Sequence, residues 1–293
     1  MSDIQTPSRR QFLAATATTA AAATMSARSY AQVAGANNRL RVGIIGCGGI
    51  AKHHLDKLLP MRADENIEIV AVCDVYDRHA RRFAQRIRSL DGNAEQYADH
   101  RAVLDRDDID YVLITTPEHS HAYLTLDALD AGKHVYVEKP MTHTIKEAQD
   151  VLAKVAETGL QVQVGVQGMA DDSYSSAREA IRAGKIGSVV QAQIDYVRDY
   201  QGSGPWRTGH TSDEPKPDGL DWVAWQRPAK QVPWDARRYH DWRCYSDYSG
   251  GIATDLFIHR LTRLLKACDL GYPNQVVGMG GIYTWPDGRD LPA

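Results

Sequence analysis

Glu138-Lys139-Pro140 places an ammonium beside a carboxylate at the end of an apolar run, just before a proline that fixes the local turn. An ammonium held there can hydrogen-bond an alcohol oxygen and stabilise the alkoxide character that develops as hydride leaves the carbon. Asp255 and His259 are four residues apart in a segment that reads as a helix with a glycine-rich start, Gly250-Gly251, so both project from one face. With an ordinary pKa of about 6.5, an imidazole can accept the hydroxyl proton near neutral pH, and Asp255 can orient it or bind a substrate hydroxyl. No third ligand is evident near the pair, so the sequence predicts no metal site. Singly, these features match an ordinary strand end and an ordinary helix-face contact. Their weight comes from occurring together and in order behind a glycine-rich turn.

That turn is Gly46-x-Gly48-x-x-Ala51, which follows a Val- and Ile-rich run and opens a helical stretch, the setting a dinucleotide fingerprint needs. Gly46 permits the tight turn, Gly48 lets the backbone approach a pyrophosphate, and Ala51 allows close helix packing. The helix start at Gly49 and Ile50 offers N–H groups to the phosphates. Asp74 ends the second apolar run, 28 residues after Gly46, where a carboxylate can accept both adenosine ribose hydroxyls. This favours NAD, while Arg78, Arg81 and Arg82 keep NADP as the alternative. Asp74 as a cap of the following turn is the competing reading. Thr116, Pro117 and His121 follow the strand that would run beneath the nicotinamide side, which makes them candidate cofactor contacts. Neither His119 nor His121 is given a catalytic role. Glu138 is expected to hold Lys139 or the nicotinamide ribose.

The elements that must position these groups alternate strand and helix from residue 39 onward. Strands are predicted at 39–46, 67–73, 111–115 and 134–137, with helices at 49–59, 77–90, 100–104, 121–131 and 145–158 between and after them. Runs apolar on both faces mean a buried parallel sheet, and right-handed crossovers make it doubly wound. From 161 the pattern changes. A short apolar run at 162–166 leads to a helix near 174–183, then to an alternating strand at 189–197, which predicts an open sheet with one wetted face, and a further strand at 275–283. Between them, 199–248 reads as a long ordered loop that holds five of the six Trp. Its Trp206, Trp222, Trp225, Trp234, Tyr239, His240, Trp242 and Tyr245 suit either the C–H faces of a sugar or an oligomer contact. The expected organisation is a leader and linker over 1–36, a dinucleotide-binding α/β domain over 37–160 and a substrate and oligomerisation α/β domain over 161–293. The last of these ends soon after one strand, so its sheet is expected to be incomplete and to need a partner chain along an edge.

Ser8-Arg9-Arg10-Gln11-Phe12-Leu13 and the uncharged Ala/Thr run that follows read as a twin-arginine export signal, with Ser29-Tyr30-Ala31 as cleavage site and Ala34-Gly35-Ala36 as the alternative. The run is too short and weakly apolar to span a membrane. A periplasmic location follows, reached in the folded state and therefore with cofactor already held. Residues 1–31 contain one acid, Asp3, and three bases, Arg9, Arg10 and Arg28, so the remaining chain carries −3 − 2 = −5. No basic face for nucleic acid is implied. Cys47, Cys73, Cys244 and Cys268 form no C-x-x-C pair and are expected as buried thiols.

On the fingerprint from Gly46 to Ala51, on Glu138-Lys139-Pro140 and on Asp255 and His259 behind Gly250-Gly251, the chain resembles the Gfo/Idh/MocA oxidoreductases from about Arg39 onward. The resemblance implies an NAD(P)-binding Rossmann domain, a C-terminal α/β domain with a mostly antiparallel sheet that mediates dimers or tetramers, and hydride transfer at a sugar or cyclitol carbon. It makes Lys139 and His259 the catalytic pair, with Asp255 beside them. The expected activity is oxidation of a sugar, cyclitol or related polyol. Two alternatives stand beside it: an NAD-dependent glycosidase working by transient oxidation and elimination, and an inactive protein that only binds sugar and dinucleotide.

Overall fold

The computed structural model describes residues 39–292 apart from 201 and 203; the twin-arginine segment and its cleavage site lie outside the described residues. Six strands form one sheet: β1 (Leu40–Ile45), β2 (Ile67–Cys73), β3 (Glu95–Tyr97), β4 (Tyr111–Ile114), β5 (His134–Glu138) and β6 (Val162–Gly165). All pairings are parallel, in the order β3-β2-β1-β4-β5-β6. The order reverses between β1 and β4, so the loops leaving these two strands diverge and open a crevice at their carboxyl ends.

Helices cover both faces because the strands are apolar on both. Helices α1 (Gly49–Met61) and α2 (Asp77–Arg88) bring Ala51, Leu55, Phe83 and Ile87 onto Val42, Ile44 and Ile69. On the other face Leu124, Ala128 and Leu129 of α4 (His121–Asp130) pack on Ile45, Val112 and Ile114, beside Val103 and Leu104 of α3 (His100–Leu104). Helix α5 (Ile145–Thr158) then returns the chain to the sheet edge, its start closed by a reciprocal capping box between Thr144 and Glu147.

Two features differ from the sequence reading. Val162–Gly165, placed there at the start of the second domain, is the sixth strand of the first sheet: it is an edge strand with half-exposed side chains, and an edge strand alternates as an open sheet does. The segments 189–197 and 275–283 form no strands among the described residues. Val190, Val197, Val276 and Tyr283 are largely exposed there. Alternation alone does not make a strand, because the ladder hydrogen bonds need a neighbour, and neither segment pairs with one. The second half consists instead of α6 (Asp172–Arg182) packed on α9 (Ile258–Cys268), a π-helical segment (Ala253–Phe257) leading into α9, and the aromatic loop with its short helices α7 (Trp222–Trp225) and α8 (Ala236–His240). Cys47, Cys73 and Cys244 are buried and Cys268 partly so, all as free thiols.

Candidate active site

Gly46 leaves β1 with φ +90°, and a Cβ built there would sit 2.8 Å from the backbone nitrogen of Thr116 on the neighbouring strand end. Only glycine fits both the angle and the approach. At Gly48 and Gly49 an added Cβ would meet nothing within 4 Å, so the space above the turn is open. Helix α1 starts at Gly48 without a side-chain cap, which leaves its first N–H groups for an anion. The crevice widens into a cleft of about 750 Å³ lined by Gly46, Gly48, Asp74, Thr116 and Pro117 from the sheet side. That is room for a dinucleotide, and the donor-rich turn fits its pyrophosphate.

Asp74 lines this cleft and also holds the turn: its carboxylate accepts the Cys47 N–H at 2.7 Å and the Tyr76 N–H at 2.8 Å. Arg78, His79 and Arg82 share the rim. The ceiling is the aromatic loop. Trp225, Tyr239, His240 and Trp242 line the same cleft, and behind them Trp222, Tyr245 and Tyr248 form a separate core. Backbone bonds pin this loop to the end of β2, from Asp77 N to Gly219 O at 3.1 Å and from Asp221 N to Val75 O at 2.9 Å. His119 fastens its other side, with Nε2 2.9 Å from Trp225 O. Of the aromatics that the sequence offered to a sugar or a second subunit, Trp225, Tyr239, His240 and Trp242 thus roof the cleft, while Trp206, Trp222, Trp234 and Tyr245 belong to the core behind it. Burial drives the His119 pKa down to about 4.

Lys139 ends β5 and reaches across to the second half, where its ammonium donates to Asp255 O at 2.8 Å and Oδ1 at 2.9 Å. The Arg243 guanidinium donates to the same Oδ1 at 3.0 Å. Burial of Asp255 works against its charge, but Arg243 and Lys139 outweigh it and hold the carboxyl below its usual range. Half-buried His259 stands one turn beyond on α9. Its pKa is lowered by burial first and by the Lys139 charge second, against the pull of Asp255 and, more weakly, Glu138. Lys139, Asp255 and His259 therefore share one electrostatic neighbourhood. The π-helical turn that carries Asp255 is a form frequent at functional sites.

Glu138 is buried but does not hold the Lys139 ammonium. It contacts His54 Nε2 at 2.6 Å, accepts from Gln167 Nε2 at 2.9 Å and receives the Lys139 backbone N–H at 3.2 Å. His121 does not line the cleft, and neither do Gly49, Ile50, Glu138, Lys139, Asp255 or His259. His121 is buried, with Nδ1 2.6 Å from Pro140 O and Nε2 2.8 Å from Thr116 O, so it braces the Lys139-Pro140 turn against the Thr116 loop. Burial foremost lowers its pKa. Sequence reasoning passed over Arg243, Gln167, His54 and Glu118. Their only signal is proximity in space, since each partner lies on another element.

Residues 40–166 match the profile of the oxidoreductase family described as having an NAD-binding Rossmann fold, Gfo/Idh/MocA. Inositol 2-dehydrogenase of Burkholderia cenocepacia is 33% identical over 262 residues, covering 85% of this chain and 74% of that protein. The enzyme of the same name from Burkholderia multivorans is 33% identical over 150 residues, 51% of this chain and 43% of its own. Against that relative and inositol 2-dehydrogenases of Salmonella, the chain spans less than half of their length. A solved myo-inositol dehydrogenase from Lactobacillus casei, in complex with NAD(H) and myo-inositol, is 29% identical with a TM-score of 0.47, covering 51% of this chain and 43% of that one. The chain belongs to the Gfo/Idh/MocA oxidoreductase family, and its parallel sheet is that family's NAD-binding Rossmann unit.

Proposed function

We propose that this protein is an NAD(P)-dependent dehydrogenase acting on a cyclitol, sugar or related polyol, with Lys139, Asp255 and His259 as its catalytic residues. The observation that carries the reading is the contact of Lys139 with Asp255, which joins the residue after β5 to the helical segment bearing His259; the cleft of dinucleotide size opens at the carboxyl ends of β1, β2 and β4 of the same sheet. Bound nicotinamide supplies the hydride acceptor. Lys139 donates a hydrogen bond to the reacting hydroxyl and stabilises its oxygen as negative charge grows. His259, kept neutral at physiological pH by burial and by Lys139, takes the hydroxyl proton at an imidazole nitrogen. Asp255 fixes the Lys139 ammonium and remains ionised.

Gly46, Gly48, Gly49 and Ile50 would hold the pyrophosphate, and Thr116, Pro117 and Glu138 the nicotinamide half. Asp74 favours NAD, whereas Arg78 and Arg82 on the same rim are the groups a 2′-phosphate would use. The inositol dehydrogenases among the relatives support a cyclitol as first substrate to test. Delivery to the periplasm by the twin-arginine route and assembly as a homo-oligomer belong to the same reading. Exposed Val190, Val197 and Val276 support the second point. The test is to denature the purified protein, identify the dinucleotide released, and follow reduced nicotinamide absorbance with inositols and aldoses. Production of reduced cofactor with at least one polyol is expected. Binding of both ligands without any redox change would overturn the assignment in favour of a binding protein.

A further inference from the structure

Glu118 is a carboxylate with 1% exposure on the short turn that follows Thr116-Pro117, and the mechanism above gives it no part. Its bonds all run to one distant segment. Oε2 accepts the Ser249 hydroxyl at 2.9 Å and lies 3.3 Å from the Thr254 hydroxyl, while Oε1 accepts the Gly250 N–H at 3.0 Å. Ser249 in turn accepts the Gly251 N–H at 3.0 Å, so two successive backbone donors are satisfied directly or through one hydroxyl. This is the work of a helix cap, done by a side chain more than 130 residues away in sequence. The capped segment needs it: Gly251 sits at φ +73° and the following π-helical segment has no side-chain cap of its own.

We propose that Glu118 is a positioning residue for hydride transfer: it latches the start of the helical segment carrying Asp255 and His259 to the loop on which the nicotinamide half of the cofactor rests. The inference depends on the catalytic roles assigned above. Lys139 grips that segment at one point, Asp255, and α6 packs against the helix beyond it, which leaves the start of the segment to be held from elsewhere. Glu118, leaving the neighbouring strand β4, grips it a turn earlier, and two points on two loops fix both the distance and the rotation of His259. Burial raises the Glu118 pKa, opposed by the Gly250 N–H and the Ser249 and Thr254 hydroxyls. The desolvation that opposes its charge makes the carboxylate a weak net stabiliser, whereas its three aimed hydrogen bonds fix the position of the segment.

The experiment uses the full chain with Glu118→Ala and Glu118→Gln. Glu118→Ala is expected to lower kcat about 10- to 100-fold, the usual effect of removing a group that orients a reacting side chain, with dinucleotide affinity held within about twofold. The acid limb of kcat should move up in pH as His259 drifts from Lys139, and amide exchange should quicken over 249–259 alone. Glu118→Gln, which still accepts hydrogen bonds, should recover part of each change, and it decides the matter if the alanine variant does not fold. Unchanged kcat in Glu118→Ala overturns the proposal. So does a loss of active fraction with an unmoved pH profile and faster exchange throughout the chain, because that is the signature of a purely structural residue. If the unmodified protein turns over no polyol, the dehydrogenase reading fails separately, and localised exchange still decides whether the latch exists.

Discussion

Replacing Lys139 with Met keeps an unbranched side chain one atom shorter and removes its charge. Asp255 then sits with 5% side-chain exposure and one cation, Arg243, where it had two. Removing one partner of a buried ion pair costs about 3–5 kcal/mol when nothing replaces it; with Arg243 still 3.0 Å away, roughly half of that, about 2 kcal/mol, is expected. For a chain of this size that lowers the thermal midpoint by about 4–8 °C. The effect on rate is separate and larger. A donor aimed at the developing alkoxide contributes about 10²- to 10³-fold, so kcat/KM should fall by that factor while dinucleotide affinity holds. A third effect has a definite sign. The Lys139 charge lowers the His259 pKa, so its loss must raise it, and the acid limb of the residual activity should move to higher pH. Thermal unfolding measures the first effect, and stopped-flow hydride transfer across pH, beside a dinucleotide titration, measures the other two. A variant within tenfold of the parent, or a limb that stays put, would refute the placement of Lys139 beside the reacting oxygen.

Gly46→Ala should abolish dinucleotide binding with the sheet intact, because the new methyl meets the Thr116 backbone at 2.8 Å and the residue needs φ +90°; fluorescence titration checks it, and retained affinity would argue against the tight turn. Trp225→Ala opens the roof of the cleft and should speed dinucleotide dissociation with little change in kcat at saturation; a rate of release equal to the parent's would show that the roof retains nothing. His119, with its pKa lowered to about 4, stays neutral in the folded state while the unfolded chain takes up a proton from about pH 6.5 downward. Its contribution is therefore present above about pH 6.5 and lost as pH falls toward 4, by at most about 3 kcal/mol. Urea unfolding of the parent and of His119→Gln at pH 7 and 4.5 should give a smaller acid loss for the variant.

Strands β1, β2, β4 and β5 were legible because a strand buried on both faces must be an unbroken apolar run. The glycine turn was legible because its geometry admits few residues. Asp255 and His259 were found through helical spacing. Glu118 and Arg243 had no such signature, since capping and ion pairing across the fold link positions through the tertiary structure alone. His121 shows what the sequence leaves out: its place at a helix start says nothing of the burial that turns both ring nitrogens to backbone carbonyls. The alternation at 189–197 described side chains suited to a strand but said nothing about a partner, and the ladder is what makes the strand.

The site divides its two tasks between different kinds of force. Cofactor space is built by the apolar sheet and its roof of aromatic rings, where a small shift costs little binding. Under the proposed mechanism, reaction geometry instead rests on two buried polar ties, Lys139 to Asp255 and Glu118 to the Gly250 segment. Buried charges are weak net stabilisers because desolvation offsets their attraction, yet they are directional and tolerate few alternatives. Apolar packing between the halves would hold them together while letting them slide. Glu118 after β4 and Lys139 after the adjacent β5 hold the Gly250–Asp255 segment by aimed hydrogen bonds at two points, and under the proposed mechanism an error of about 1 Å there would cost most of the rate.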